Sequence, residues 1–284
     1  MLMPEKVRKP LALYRTPRCF ELTGKSFLLK MDDSRFITLT FDTNDELTYA
    51  PRGEEPKRLP YECLLSQEQL YFVNFEELGA KPRTCRTYVI DTREMLVTEA
   101  KAIITYSETD ENECGYLWMP SIRFTFGAIR RDDGTYNDIR HGYTADMVGK
   151  AINWNYGTFE IVHVYSSERY YRVAFMPRTL ERQYPSRPAP QPGVHRPVYE
   201  DYADYIKIRD GVYMVSLLET VLCRRNGHGA SLLFLMDLNV MHDVGRAFAM
   251  GGDPLEEENY SLGAYGEYFD ASETLAKPSE TFIR

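Results

Sequence analysis

A chain of 284 residues with a formal charge of −8 is long enough for two ordinary domains. It lacks the clustered Lys and Arg that tight binding to nucleic acid or an anionic membrane requires. Hydrophobic residues make up 43% and aromatic residues 13%, with 21 Tyr and 14 Phe, a balance that favours half-buried pleated strands over helices.

The basic start (Lys6, Arg8, Lys9, Arg15, Arg18) has no apolar segment after it, so it reads as a solvated arm rather than a secretory signal. Residues 27–31, 35–41 and 46–49 are short β-prone runs separated by Asp, Ser and Asn turns. The meander continues through residues 61–65, 70–75, 86–91 and 94–106 and ends with 122–129. Strands at this spacing suit a small barrel. The polar, turn-rich residues 132–146 are the expected linker, which gives an N-terminal barrel domain over 1–131 and a C-terminal one over 147–284.

A second cycle then follows the first. Gly149-Lys150 answers Gly24-Lys25, with Val148 taken as the counterpart of Leu22. The run 212–219 answers 70–77, bringing Glu219 level with Glu77, and residues 233–237 answer 88–91. Matched order at these spacings points to a duplicated barrel. Six prolines within residues 176–198 (Pro177, Pro185, Pro188, Pro190, Pro192 and Pro197) make that insertion a loop, either a lid over a barrel mouth or a surface excursion. Asn226-Gly227 marks a hairpin between 212–223 and 231–238. Residues 237–250 read as a helix or as a turn and strand, and the last dozen residues as a frayed tail.

No stretch approaches the ~18 uninterrupted apolar residues of a membrane-spanning helix. Five widely spaced cysteines without a C-x-x-C pair give no zinc or dithiol motif and read as reduced cytoplasmic thiols. Walker, G-x-G-x-x-G, H-E-x-x-H and G-x-S-x-G motifs are missing. What remains is the site a barrel interior can build, a few polar side chains facing an aromatic cavity. Alternation puts Phe159, Ile161, His163 and Tyr165 on one face of their strand. There His163 either passes a proton or orients a carbonyl, or is a hydrogen-bonded core residue. Glu219 shares a face with Tyr213, Val215 and Leu217. Facing inward it would be a carboxylate of raised pKa suited to general-base work, and facing outward a rim charge. Alternation leaves open whether Tyr205 and Lys207 or Ile206 and Ile208 face the interior, although the two isoleucines argue that Tyr205 points outward. Trp154 either stacks on a planar ligand or packs the barrel bottom. The remaining histidines (His141, His195, His228, His242) have no ligand spacing, and His242 and Asp243 should face opposite sides of a strand, so no metal site is expected.

Residues 144–150 (TADMVGK), 159–165 (FEIVHVY), 204–215 (DYIKIRDGVYMV), Met236-Asp237-Leu238 with Gly245-Arg246-Ala247-Phe248, and 262–267 (LGAYGE) carry a family likeness. Gly24-Lys25, residues 46–49 and residues 70–75 carry it more loosely in the first half. In this order they resemble the two-domain proteins named after molybdenum-cofactor biosynthesis protein F, the MoaF-like family. The resemblance implies two tandem antiparallel lipocalin-like (calycin) β-barrels and no cofactor. Related barrels serve as carriers, decarboxylases, and cyclases or isomerases. The Pro-rich insertion departs from the family, which puts the pocket entrance in doubt.

The expected function is a cofactor-free isomerase, cyclase or lyase acting on a hydrophobic or aromatic small molecule in the second barrel. His163 and Glu219 would move protons, while Trp154, Tyr165, Tyr205 and Tyr213 would shape the pocket. The alternative is a non-catalytic carrier using the same pocket, and a third reading is a dimerisation module. The first barrel, without a histidine candidate or a lid, is expected to be scaffold.

Overall fold

The computed structural model describes residues 11–110, 114–157, 160–175, 198–220, 227–251, 255–270 and 279–280. Eight strands form the first unit: β1 (Ser26–Met31), β2 (Phe36–Phe41), β3 (Glu46–Pro51), β4 (Lys57–Gln67), β5 (Leu70–Glu76), β6 (Arg83–Asp91), β7 (Leu96–Glu108) and β8 (Tyr116–Ile129). Each pairs antiparallel with the next, and β8 returns to β1 through Leu29↔Ile129 and Met31↔Gly127, closing a barrel. After the two-residue β9 (Gly142–Tyr143), which pairs with β13, a second ring begins. It contains β10 (Ala151–Asn155), β11 (Glu160–Val164), β12 (Tyr170–Phe175), β13 (Val198–Arg209), β14 (Val212–Glu219), β15 (Gly229–Asp237), β16 (His242–Gly251) and β17 (Glu256–Tyr268). Pairing of β10 with β17 and of β12 with β13 closes it, and β18 (Ser279–Glu280) lies parallel to the start of β13. The protein is therefore two closed eight-stranded antiparallel barrels in tandem, wound up and down in the manner of lipocalins.

Both barrels are plugged by the same device. Gly24, at φ 78°, lets the chain turn so that its N–H reaches the Phe41 carbonyl at 2.7 Å, while Phe41 donates to Lys25 and Lys25 to Leu22. Gly149, at φ 85°, repeats this with Tyr165, Lys150 and Met147. Left-handed φ without a Cβ penalty is what glycine supplies at both turns. Leu22 and Met147 are both fully buried in their barrel cores. The counterpart of Leu22 is thus Met147 and not Val148, which is exposed: the turn places the plugging side chain two residues before each glycine.

The barrels meet through the outer faces of β4–β8 and β13–β16 in one apolar cluster. Leu64, Leu70, Phe72 and Val89 from the first stand at the strand positions that Ile206, Val212, Met214 and Leu235 hold in the second. At its edge Arg209, at the end of β13, holds Asp91 with two hydrogen bonds of 2.8 Å, while Gln67, at the end of β4, donates to Asp237 at 2.6 Å. Each donor follows a β-bulge and each acceptor ends its barrel's sixth strand. The contact is therefore a pseudo-twofold one, with like patches facing each other. This decides the facing of Tyr205, which alternation left open. Ile206 and Ile208 are apolar because they face the other barrel, so Tyr205 points inward.

Residues 11–24 are not a solvated arm. Leu11 joins the second barrel's core and Leu22 the first's. Arg15 bridges Glu62 and Ser261 of different barrels, and Arg18 pairs with Asp45 at 2.7 Å. The linker is pinned too, with buried His141 sharing a 2.8 Å hydrogen bond with Thr98. Residues 237–250 are a turn and the strand β16, not a helix. β8 starts well before residue 122: Pro120 removes a donor from the ladder, but beyond Gly127 this strand no longer pairs with β1 and tolerates the loss. Residues 176–197 of the Pro-rich insertion, His195, Cys223, Asn226 and almost all of the tail lie outside the described residues. Among the described residues no helix is long and apolar enough to cross a membrane.

Candidate functional site

The interior of the second barrel gathers most of the side chains singled out from sequence. Trp154 on β10 is fully buried and donates its indole N–H to the Tyr165 hydroxyl at 3.2 Å, which in turn lies 3.3 Å from the Met236 sulfur. Tyr205 is edge-on to Tyr165, with ring centroids 5.6 Å apart, and its hydroxyl donates to the Tyr170 carbonyl at 2.8 Å. Small residues make the room. A Cβ on Gly266 would meet the Trp154 ring and one on Gly245 would meet Phe234, so the bulk on β10 and β15 is accommodated by glycine on β17 and β16.

His163 is buried among Tyr165, Tyr171 and Phe234, with ring centroids 6.4, 5.5 and 6.2 Å away. Burial lowers its pKa to about 3, so the imidazole is neutral. Its Nδ1 is enclosed and makes no hydrogen bond to any described residue. Glu219 is not brought to it. Val215 pairs with Phe234, and Glu219 lies four residues further along β14, about 13 Å towards the barrel rim at a strand's usual rise. Tyr213 sits at the plugged end instead, donating to Asp146 at 3.2 Å. His163, Trp154, Tyr165 and Tyr205 thus form one group, with Glu219 and Tyr213 beyond its two ends.

Asp243, considered from sequence only as a metal ligand beside His242, belongs to this interior. It lies on the inward face of β16, fully buried, accepting the Ala264 N–H at 2.8 Å beside the Tyr156 hydroxyl. Burial outweighs both hydrogen bonds and raises its pKa to about 8. His242 faces out, its Nε2 bonded to the Tyr14 carbonyl at 2.8 Å. The available signal was the alternation Asp243, Gly245, Ala247, small residues on an inward face that leave a carboxylate enclosed.

The first barrel, expected to be scaffold, holds a charged cluster at the end opposite its Leu22 plug. Glu99 on β7 is 1% exposed and accepts hydrogen bonds from Arg35, Arg86 and the Tyr88 hydroxyl. Burial pushes its carboxyl up, but the two guanidinium groups prevail and hold it below its ordinary value. Arg86 also holds Glu77 at 2.7 Å, and Lys57 takes the other Glu77 oxygen at 2.8 Å. Glu77 therefore anchors cations, whereas Glu219, its counterpart by strand position, ends β14 next to Ala230. Arg86 stacks over Tyr49 with 4.9 Å between guanidinium carbon and ring centroid. Burial raises that Tyr49 hydroxyl to about 12; Phe75 lies tilted against Tyr49 and stacks in turn on Tyr88. Charges buried this deeply persist only when paired and hydrogen-bonded.

Residues 11–105, which run from the N-terminal segment through β1–β6 and most of β7, match the family model of the MoaF N-terminal domain. The first barrel is MoaF-like. Its match ends before β8 and the second barrel. No curated protein matches the chain. A MoaF-like domain in a lipocalin-type barrel is suited to binding a small molecule, and the chemistry of that molecule has to be read from the side chains.

Proposed function

We propose that the protein binds a hydrophobic or aromatic small molecule inside its second barrel, as a carrier or binding protein. The observation that carries this reading is the enclosed Nδ1 of neutral His163 among aromatic side chains. A buried polar atom without a partner is rare and costs stability, and a ligand hydroxyl or carbonyl would satisfy it. Trp154, Tyr165 and Tyr205 supply the flat apolar contacts that an aromatic ligand needs. Titration with 2-naphthol, followed by quenching of tryptophan fluorescence, tests it. Saturable binding that weakens about tenfold in His163→Phe, the equivalent of one hydrogen bond, is expected. No binding up to the solubility limit, or equal binding by the variant, overturns the reading.

A second reading, cofactor-free isomerase, cyclase or lyase chemistry, is favoured by Asp243 rather than by the pairing of His163 with Glu219. A carboxyl with pKa about 8 is a proton donor at neutral pH within the same interior. If a small molecule co-purifies and is converted, Asp243→Asn should abolish turnover while leaving binding within threefold. Unchanged turnover in that variant would exclude Asp243.

A further inference from the structure

Three basic residues stand in one row across neighbouring strands of the first barrel. Arg86 on β6 is the cross-strand partner of Lys101 on β7, and Lys101 is the partner of Arg123 on β8. All three are on the inward face. Val97 and Glu99 fix that face for β7, since Ala100, Ala102 and Ile104 on its other side pack towards the second barrel. Side chains directly opposite in an antiparallel pair have Cβ atoms roughly 5 Å apart, and like charges there repel.

The carboxylates nearby are already spent. Glu99 gives one oxygen to Arg86 and Tyr88 and the other to Arg35, and Glu77 divides its two between Arg86 and Lys57. Among the described residues Lys101 and Arg123 have no ion pair. The pair also sits where the barrel opens. Beyond Gly127, β8 leaves β1 and continues with β7 as a hairpin, with Lys101 half-buried and Arg123 exposed at its base. Thr125 and Ser121 flank Arg123 on the same face, adding hydroxyl donors.

The second barrel gives the control. Counting five residues back from the sixth-strand aspartates, Asp91 and Asp237, reaches Arg86 and Leu232, and following the ladders from there gives Leu232, Ala247 and Tyr260 in place of Arg86, Lys101 and Arg123. The barrel architecture at this level does not need charge, since its own copy fills the row with apolar side chains packed on the core. In a protein of net charge −8, two adjacent uncompensated cations facing a barrel mouth are a local feature and not a general surface bias.

We propose that Lys101 and Arg123, backed by Arg86, form a binding site for a compact oxyanion, a carboxylate or phosphate group of a small molecule, at the mouth of the MoaF-like barrel. The anion bridges the Lys101 ammonium and the Arg123 guanidinium and removes their repulsion. Charge-assisted hydrogen bonds of this kind are the strong ones. The site is separate from the second-barrel interior and stands or falls independently of it.

Isothermal titration calorimetry of the full chain at low ionic strength, with benzoate, inorganic phosphate and neutral benzamide, tests this. At least one anion binds and benzamide does not; which anion binds decides between carboxylate and phosphate. Binding weakens as salt is raised and falls at least tenfold in the Lys101→Ala/Arg123→Ala double variant. Lys101→Gln and Arg123→Gln serve should the double variant fail to fold, each expected to melt no lower than the parent because one of two repelling charges is gone. Binding of neither anion at about 10 mM, equal binding of benzamide, or unchanged affinity in the folded variants overturns the proposal.

Discussion

The two barrels share a strand plan, a glycine-turn plug and a docking face, yet fill their interiors with opposite chemistry. At the level where the first holds Arg86, Glu99 and Lys101, the second holds Leu232, Gly245 and Ala247. The first keeps its charges by pairing them. The second keeps two isolated titratable groups, His163 and Asp243, each forced towards its neutral form by burial. One backbone thus tolerates either a compensated ion cluster or a nearly apolar core, and the choice rests on a few inward positions.

Removing the hub of the ion cluster should have the largest effect. Glu99→Ala leaves Arg86 buried against Tyr49 with only Glu77, and Arg35 without its buried partner, and should cost about 3 kcal/mol in urea unfolding. An equally stable variant would mean the cluster is solvated and the contrast between the barrels overstated. The interface comes next. Arg209→Met leaves the carboxylate of Asp91 buried without its guanidinium and should cost roughly 2–3 kcal/mol, whereas Gln67→Met, in the mirror position, should cost about 1 kcal/mol because it removes one neutral donor. Equal costs would show that the two halves of the contact are energetically alike.

The pH slopes of the second barrel appear only when conditions change. Asp243 keeps its proton in the folded state between its unfolded pKa near 4 and about 8, so stability should fall as pH rises through that window. Asp243→Asn should flatten the slope, by up to about 3–4 kcal/mol between pH 5 and 8. His163 acts in the opposite direction: with a folded pKa of about 3 against an unfolded value near 6.5, its neutral form costs stability as pH falls below about 6.5, and His163→Phe should relieve up to about 3 kcal/mol of acid sensitivity by pH 4. Melting temperatures across pH 4–9 would separate the two slopes.

Strand positions and the repeat were legible because period-2 alternation and turn residues are local signals. They failed where a strand is apolar on both faces. Val212–Leu217 on β14 is buried throughout, and the facing of Tyr205 stayed undecided because Ile206 satisfies an interface and not a barrel interior. The ion cluster was illegible for a different reason. Arg35, Arg86 and Glu99 are far apart in sequence, and only the cross-strand register brings them together. His163 could be placed on an inward face from its strand alone, but its distance from Glu219 depends on where each lies along the barrel, which alternation does not encode.

The docking face has one more consequence. Because both halves of the pseudo-twofold contact ride on a single tethered chain, their encounter is intramolecular and set by an effective concentration, not by how much protein is present. The pinned linker, with His141 tied to Thr98 and Arg140 to Asp32 at 2.8 Å, shortens that tether further. Dilution cannot separate the barrels, and damage at this seam registers as lost stability within one molecule.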